Sequence, residues 1–583
     1  MEWFKQVGYV FTGKQRWKMA GIFLMQFVET IMDFFSISLI LPFVSILTRV
    51  DQLEEASWYK LICRLFGQQD TKGVLLILTF SMIGLYILKN SYALFVTNVR
   101  VRFLSVNQIR MGARMVHCYM HKPYTFHLQR NTAQIVRNVN SDVSGAFNVI
   151  SSMFALVSDV LIIVILVVFL FAVDPGMTLA ILAGLALCSA LYFLVVRGLI
   201  RKAGEHNREY GARMIKAIHQ AMGGIKEVKI MGREAYFTEV YRQAGSEFVD
   251  RRRKYHVLSA VPGRIIETVC MISILGVIAY KIFVGEDLAE VVPSLSAFAV
   301  AAVRLLPRAN AINTHINGIT YHLPCLRAIY EDLTESDRQM EERKRDIEER
   351  RRKPRAEHQN GDITVENITF TYPEGEKPVL ENISLKIQKG SSVGIVGATG
   401  AGKTTLVDLI LGLLKPDKGR ICFGSMDIHE DYDSWKEHIG YIPQTIYLTD
   451  DTIEKNVALG IEESEIDETA VWRALEHAQL ADFVRSLRDG LRTEIGERGV
   501  RLSGGQRQRI GIARALYRDP EILFFDEATS SLDNETENAV MEAINTLGSN
   551  KTMIIVAHRL TTIEKCDKIL RVKDGKVLDD GRS

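Results

Sequence analysis

Long apolar runs alternate with polar, basic stretches over roughly the first 320 residues, and the remainder has the pattern of a soluble α/β protein. A helix needs about 20 apolar residues to cross the roughly 30 Å hydrocarbon core of a membrane. Six runs reach this length, and we predict spans near 20–47, 74–97, 144–173, 176–198, 257–283 and 289–318. A turn at Asp174–Pro175–Gly176 separates the third span from the fourth, so these two form a tight hairpin.

The charges between the apolar runs predict the orientation of the spans. Residues 98–143 carry seven lysines and arginines against the single acid Asp142, and the segment 199–256 is also basic. By the positive-inside rule, both segments and the N-terminus lie in the cytoplasm, together with everything after the sixth span. Helical spacing in these segments indicates that the neighbouring spans continue as helices below the membrane. Residues 58–66 form a short amphipathic helix on the outer face or, equally well, a packed loop helix.

A chain of 583 residues is too long for a single core, and the pattern divides it. We predict an all-α transmembrane domain of six helices at 1–335, a charged linker at 336–360 and an α/β P-loop NTPase domain at 361–583. The net charge of +2 indicates no nucleic acid partner. The seven cysteines form no CxxC pair, which favours reduced thiols. The N-terminus lacks the pattern of a removable signal peptide.

The stretch "VGIVGATGAGKTT" at 393–405 places a strand directly before a glycine-rich loop and an apolar helix. The spacing Gly397-x-x-x-x-Gly402-Lys403-Thr404 is that of a loop whose backbone N–H groups hold phosphates. Lys403 is expected to reach the β- and γ-phosphates, and the Thr404 hydroxyl to bind Mg²⁺. The predicted ATP-binding residues of this loop are Gly397, Ala398, Thr399, Gly400, Ala401, Gly402, Lys403, Thr404 and Thr405.

A second strand predicts the acids of the same site. "EILFFDEATSSLD" at 521–533 is an apolar run that ends in Asp526 and Glu527. Asp526 suits coordination of Mg²⁺, and Glu527 suits polarisation of an attacking water. Acids at the end of a strand can also be simple caps, but two of them after four apolar residues favour the catalytic interpretation.

The stretch "LSGGQRQRIGIARAL" at 502–516 resembles the signature of ATP-binding cassette (ABC) proteins, and the motifs around it occur in the same order. The resemblance implies that Tyr372 stacks on adenine, that Gln444 senses magnesium, and that His558 holds the γ-phosphate. It also implies a D-loop role for Asp533, and it assigns 493–499 to communication with the cytoplasmic helices. The signature residues that it implies for ATP binding are Ser503, Gly504, Gly505 and Gln506.

Six spans before one cassette resemble an ABC exporter half-transporter, which uses ATP and Mg²⁺. In such proteins the phosphate loop of one cassette faces the signature of another, so the resemblance implies a homodimer in a bacterial cytoplasmic membrane. A heterodimer stays an alternative, although this cassette shows no degenerate motif. Family members usually continue beyond "VKDGKVLDDGRS", so a truncated C-terminus is expected.

Charged residues within predicted spans are functional candidates, because a charge in hydrocarbon is costly unless it faces protein or water. Arg304 and Arg308 lie one turn apart on one helix face. With Arg264 they are predicted to line a central substrate cavity, unless they pair internally with acids. The charged residues of the spans are Glu29, Asp33, Lys89, Arg264, Glu267, Arg304 and Arg308.

Short stretches at 34–47 and 223–237 resemble bacterial lipid-linked oligosaccharide flippases. This resemblance implies a polyprenyl-pyrophosphate-linked oligosaccharide as the substrate, and guanidinium groups bind such phosphates in a bidentate way. The alternative is an exporter of drugs or of other lipids, such as lipid A-type glycolipids. A peptide exporter and an ATP-gated channel are weaker alternatives.

Overall fold

The computed structural model describes residues 2–38, 64, 71–173, 175–284, 288–351, 361–526, 551–557, 563–564 and 566–579. The chain forms two compact units. One comprises Met1–Lys122 and Gln129–Lys344, and the other comprises Pro123–Leu128 and Arg345–Ser583. The short segment Pro123–Leu128 therefore groups with the C-terminal unit, although it lies far from that unit in sequence.

The first unit is helical. Its long helices are α2 (Gly13–Ser38), α3 (Thr71–Met120), α6 (Val143–Val173), α7 (Pro175–Gly223), α9 (Glu234–Val284) and α10 (Leu288–Arg351). Its short helices are α1 (Glu2–Val10), α5 (Thr132–Arg137) and α8 (Ile225–Ile230), and a π-helical turn at Asn138–Asp142 joins α5 to α6. Between α3 and α5, the short helix α4 (Tyr124–Gln129) belongs to the second unit except for Gln129. Each predicted span has one long helix, except that residues 39–47 lie outside the described residues. The predicted outer-face helix at 58–66 also lies outside them, apart from residue 64.

Several of these helices are much longer than a membrane span. α3 has 50 residues and α10 has 64, and α10 continues through the predicted linker as far as Arg351. Within the described residues, two helical stretches combine the length and the apolar composition needed to cross a membrane, Gly13–Ser36 and Thr132–Val168. The cytoplasmic location of the polar ends of the other long helices stays a prediction.

Polar contacts join these extensions. On α3, Tyr119 donates to Asp332 Oδ2 of α10 at 2.6 Å, and Arg114 pairs with Asp337 at 2.6 Å. Such paired side chains help to fix the register of the two helices, next to buried apolar side chains such as Met115 and Ile329.

Close packing of α7 on α10 depends on a glycine. A Cβ built at Gly204 lies 2.1 Å from the carbonyl oxygen of Tyr321, so only glycine fits there without moving a backbone. Small residues of this kind let helix backbones approach each other closely.

The second unit is an α/β domain with two sheets. Its strands are β1 (Ile363–Phe370), β2 (Leu380–Ile387), β3 (Ser392–Gly397), β4 (Lys418–Phe423), β5 (Met426–Asp427), β6 (Ile439–Ile442), β7 (Ile522–Asp526), β8 (Thr552–Val556), β9 (Lys568–Lys573) and β10 (Lys576–Asp579). Its helices are α11 (Lys403–Ile410), α12 (Tyr432–Glu437), α13 (Ile453–Val457), α14 (Glu468–His477), α15 (Ala481–Ser486) and α16 (Gly504–Leu516).

The two sheets differ in the direction of their strands. The four-stranded sheet has the order β2-β1-β4-β5 and is antiparallel. The six-stranded sheet has the order β10-β9-β3-β8-β7-β6, and it is parallel except for β10 at its edge. The parallel strands are almost continuously apolar because helices or the second sheet cover them; Val393, Ile395 and Phe524 are fully buried. Functional loops follow the carboxyl ends of such strands.

Candidate nucleotide site and intramembrane charges

The phosphate loop connects β3 to α11. Gly400 and Gly402 have φ values of +81° and +100°, which side-chain-bearing residues rarely adopt. The Lys403 side chain folds back over the loop and donates from Nζ to the carbonyl oxygens of Gly397 at 2.8 Å and Ala398 at 3.2 Å. The loop thus combines backbone N–H groups, a helix N-terminus and one ammonium group, which suits a polyphosphate.

Asp526 ends β7, two strands away from β3 in the same sheet. The hydroxyl of Tyr441 on β6 donates to Asp526 Oδ2 at 3.4 Å. Asp408 of α11 adds a second acid, and its burial together with the nearby Asp526 carboxylate raises the pKa of Asp408 to about 6. Sequence analysis missed both Tyr441 and Asp408.

The crowding of negative charge at Asp526 and Asp408 fits a divalent cation, which would relieve it. The predicted donors to Mg²⁺ are the Thr404 hydroxyl, the Asp526 carboxylate and the Gln444 amide oxygen, and oxygen donors are those that Mg²⁺ prefers. Gln444 lies two residues after β6 and is exposed. In the described part of the chain, no group of three His, Cys, Asp or Glu side chains could hold a metal ion.

Replacing Tyr441 with phenylalanine is expected to raise the Mg²⁺ concentration for half-maximal ATP hydrolysis about two- to tenfold. The change removes one hydrogen bond to Asp526, and such a bond contributes about 0.5–1.5 kcal/mol. Titration of MgCl₂ at fixed ATP measures this. The matched control is Tyr447→Phe at an exposed tyrosine of the same cassette. An unchanged Mg²⁺ requirement in Tyr441→Phe would contradict a positioning role.

The predicted adenine-stacking residue lies next to the phosphate-loop helix. The Tyr372 hydroxyl and the Thr405 hydroxyl are 3.2 Å apart, and the ring packs edge-on against Phe370. Tyr372 is partly buried and packs against the core of the cassette.

The signature helix α16 begins with a capping box. Ser503 Oγ accepts from the Gln506 backbone N–H at 3.2 Å, and Gln506 Oε1 accepts from the Ser503 backbone N–H at 2.8 Å. Ser503 and Gly504 are exposed, so this helix start is open to a ligand. The remaining predicted residues of the nucleotide site, Glu527, Asp533 and His558, lie outside the described residues.

Helix α4 contributes a further residue that sequence analysis did not single out. The segment Pro123–Leu128 belongs to the same unit as the cassette. Burial raises the pKa of Tyr124, and the neighbouring Asp408 and Tyr372 raise it further. Tyr124 therefore belongs to the same unit as the phosphate-loop helix.

Two of the three predicted cavity arginines pair with acids in the structure. Arg308 Nη1 donates to Asp159 Oδ1 at 2.8 Å, and its Nη2 is 4.0 Å from Asp33. Arg264 pairs with Glu267 at 3.2 Å on an exposed face of α9. This is the internal pairing that the sequence left open. The side chain of Arg304 lies outside the described residues.

Asp159 is the acid that sequence analysis did not count among the intramembrane charges. The sequence places it at the edge of an apolar run, whereas α6 begins at Val143 and holds Asp159 well inside the helix. Its second carboxylate oxygen is 3.3 Å from Nε2 of His315. Another acid, Asp33, forms an ion pair with Lys89.

Comparisons with known proteins identify the class. Residues 19–284 match the family model described as "ABC transporter transmembrane region", and residues 380–530 match the model described as "ABC transporter". The chain belongs to the ABC transporter family, as an exporter half-transporter with a helical transmembrane domain followed by a nucleotide-binding domain. The predicted fold class is confirmed, and so is ATP hydrolysis coupled to transport.

Individual relatives agree with this assignment. The chain is 31% identical over 484 residues to the ATP-dependent lipid A-core flippase of Cupriavidus pinatubonensis, covering 81% of this chain and 79% of the relative. It is 30% identical over 528 residues to the flippase of the same name in Escherichia coli K12, covering 88% and 87%. A solved structure of a bacterial Atm1-family ABC exporter with ATP bound superposes with a TM-score of 0.74 at 22% identity, over 96% of this chain and 94% of that one.

Proposed function

We propose that this exporter moves an anionic, glycosylated lipid across a bacterial cytoplasmic membrane, with its cassettes in the cytoplasm. The observation that carries the proposal is the extended similarity to lipid A-core flippases, over four fifths of the chain or more. These relatives favour a lipid A-type glycolipid, which the sequence offered as the alternative, over a polyprenyl-pyrophosphate-linked oligosaccharide. Both substrates carry phosphate next to sugar, and the short stretches at 34–47 and 223–237 keep the oligosaccharide as the second candidate.

We assign the nucleotide site to the residues of the phosphate loop, Tyr372 and the signature. The Gly397–Thr405 loop would hold the phosphates, with Lys403 neutralising their charge, and Tyr372 would stack on adenine. Thr404, Asp526 and Gln444 would hold Mg²⁺, which would supply neutralisation of the charge that develops during phosphoryl transfer.

We assign three further residues, two of them to hydrolysis of ATP and one to the contact with the second cassette. Glu527 would polarise the attacking water, and His558 would donate to the γ-phosphate. Asp533 would border the site from the second cassette.

We propose that two identical chains form the transporter. The signature at Ser503–Gln506 has an exposed helix start that suits phosphate, and one chain carries one phosphate loop and one signature. If the loop of each chain faces the signature of the other, a closed two-fold pair completes two sites. Closure of the two cassettes on ATP and their release after hydrolysis would alternate the access of the membrane half.

The test is flipping in proteoliposomes that contain the purified full chain. Fluorescent lipid A, a fluorescent polyprenyl-pyrophosphate glycan and a cationic drug dye are compared, each with ATP and with a non-hydrolysable analogue. We expect ATP-dependent flipping of lipid A. Flipping of the glycan alone would favour the second candidate, and transport of the dye alone would contradict the proposal. The Lys403→Ala variant, which removes the loop ammonium, is the inactive control.

A further inference from the structure

One buried carboxylate of α6 connects to two turns of α10. Asp159 is 3% exposed, and each of its oxygens meets a different side chain. Oδ1 accepts from Arg308 at 2.8 Å, and Oδ2 lies 3.3 Å from the ring nitrogen of His315. Arg308 and His315 are seven positions apart, so they share one face of α10.

The two members of the main pair differ in their access to a ligand. The side chain of Asp159 is 5% exposed, whereas that of Arg308 is 43% exposed. A guanidinium group has five N–H donors, so its hydrogen bond to Asp159 leaves donors for an anion on the open side. The carboxylate of Asp159 is therefore buried, whereas the guanidinium group of Arg308 is partly accessible.

A second acid lies near the same arginine. Asp33 forms an ion pair with Lys89, and its distance to Arg308 is 4.0 Å. Asp159 makes the closer contact with Arg308, at 2.8 Å, and it also contacts His315.

We propose that Asp159 is an exchangeable counter-ion, which holds Arg308 between transport events and yields it to the phosphate of the lipid headgroup. This inference rests on the proposed function. Carboxylates and phosphates both accept hydrogen bonds from a guanidinium group in the same fork geometry, so they compete for Arg308. When Arg308 turns to phosphate, His315 stays beside Asp159, which limits the cost of leaving a buried carboxylate without a partner.

The exchange makes Asp159 a determinant of affinity for the anionic lipid. If this carboxylate is removed, the lipid phosphate no longer competes with it for Arg308, and the phosphorylated lipid should bind more tightly. Loss of Arg308 should weaken binding of the lipid. A variant that lacks both Asp159 and Arg308 should behave like the variant that lacks Arg308 alone, because the carboxylate affects binding only through the arginine.

The experiment titrates lipid A, and the same lipid without its phosphates, into the full chain in phosphatidylcholine nanodiscs and follows stimulation of ATP hydrolysis. Asp159→Asn is expected to lower the half-maximal concentration of phosphorylated lipid at least threefold. Arg308→Gln is expected to raise it about tenfold, and the double variant to match Arg308→Gln. Glu239→Gln is the matched control, since it removes the acid partner of Arg242, an exposed arginine of α9 that is not among the predicted cavity residues.

Two outcomes of this titration would overturn the inference in distinguishable ways. Wild-type protein that responds equally to both lipids contradicts the proposed function and the exchange together. If the wild type responds only to the phosphorylated lipid but Asp159→Asn has the same half-maximal concentration as the wild type, the ion pair is only structural. This holds even if Asp159→Asn is less stable to heat than the wild type.

A variant with exchanged charges covers the case in which Asp159→Asn does not fold. Asp159→Arg combined with Arg308→Asp keeps an ion pair between α6 and α10 but puts the acid on the accessible side. We expect this variant to lose the response to phosphate. Retention of that response would overturn the exchange.

Discussion

Replacing Glu527 with glutamine is expected to lower steady-state ATP hydrolysis at least about 100-fold while ATP binding persists, because general base catalysis contributes about 10²–10⁴-fold. The amide has the shape of the carboxylate but cannot accept a proton from water. In the sequence this residue directly follows β7, whose Leu523 and Phe524 are fully buried.

Hydrolysis is measured as phosphate release, and the nucleotide-bound state as a dimer that survives gel filtration with ATP and Mg²⁺. The control is Glu521→Gln, at the residue just before the same strand, where the acid contacts His438 at 3.0 Å, away from the phosphate loop. Turnover of Glu527→Gln close to the wild-type rate would contradict its assignment as the general base.

A single methyl group at Gly204 is expected to destabilise the membrane unit and to abolish lipid-stimulated ATP hydrolysis. In Gly204→Ala the new Cβ would lie 2.1 Å from the Tyr321 carbonyl oxygen, so α7 and α10 must move apart. Overpacking of this kind costs about 1–3 kcal/mol. Nucleotide binding should persist, since the cassette has its own core.

Thermal unfolding of the full chain in detergent checks the loss of stability, and binding of a fluorescent ATP analogue checks the cassette. Gly198→Ala provides the comparison, because a Cβ at Gly198 on the same helix has no atom within 4 Å. Equal melting temperatures for the two variants would show that the close approach at Gly204 is not required.

The long helices could be predicted because length and apolar composition carry the signal. The hydrophobic runs give the presence and order of the helices, but they do not say which helix lies beside which. The approach of α7 to Tyr321 depends on a contact between residues distant in sequence, and a glycine in a helix gives no indication of its partner.

The phosphate loop could be predicted because its backbone conformation requires glycine at fixed spacing, as the φ values of Gly400 and Gly402 illustrate. Asp408 and Tyr441 could not be predicted in the same way. In the sequence, Asp408 looks like an ordinary helix residue and Tyr441 like an ordinary strand residue. Only the folded domain brings them to Asp526. Likewise, the sequence gives the charge of Arg308 but not its partner Asp159.

The grouping of Pro123–Leu128 with the nucleotide-binding unit has a consequence for biosynthesis. The ribosome completes this segment well before residue 345, and at about 5–20 residues per second the delay is roughly 10–40 s. During that interval the unit to which the segment belongs is incomplete. An excised cassette beginning at residue 345 would lack this segment, and with it Tyr124.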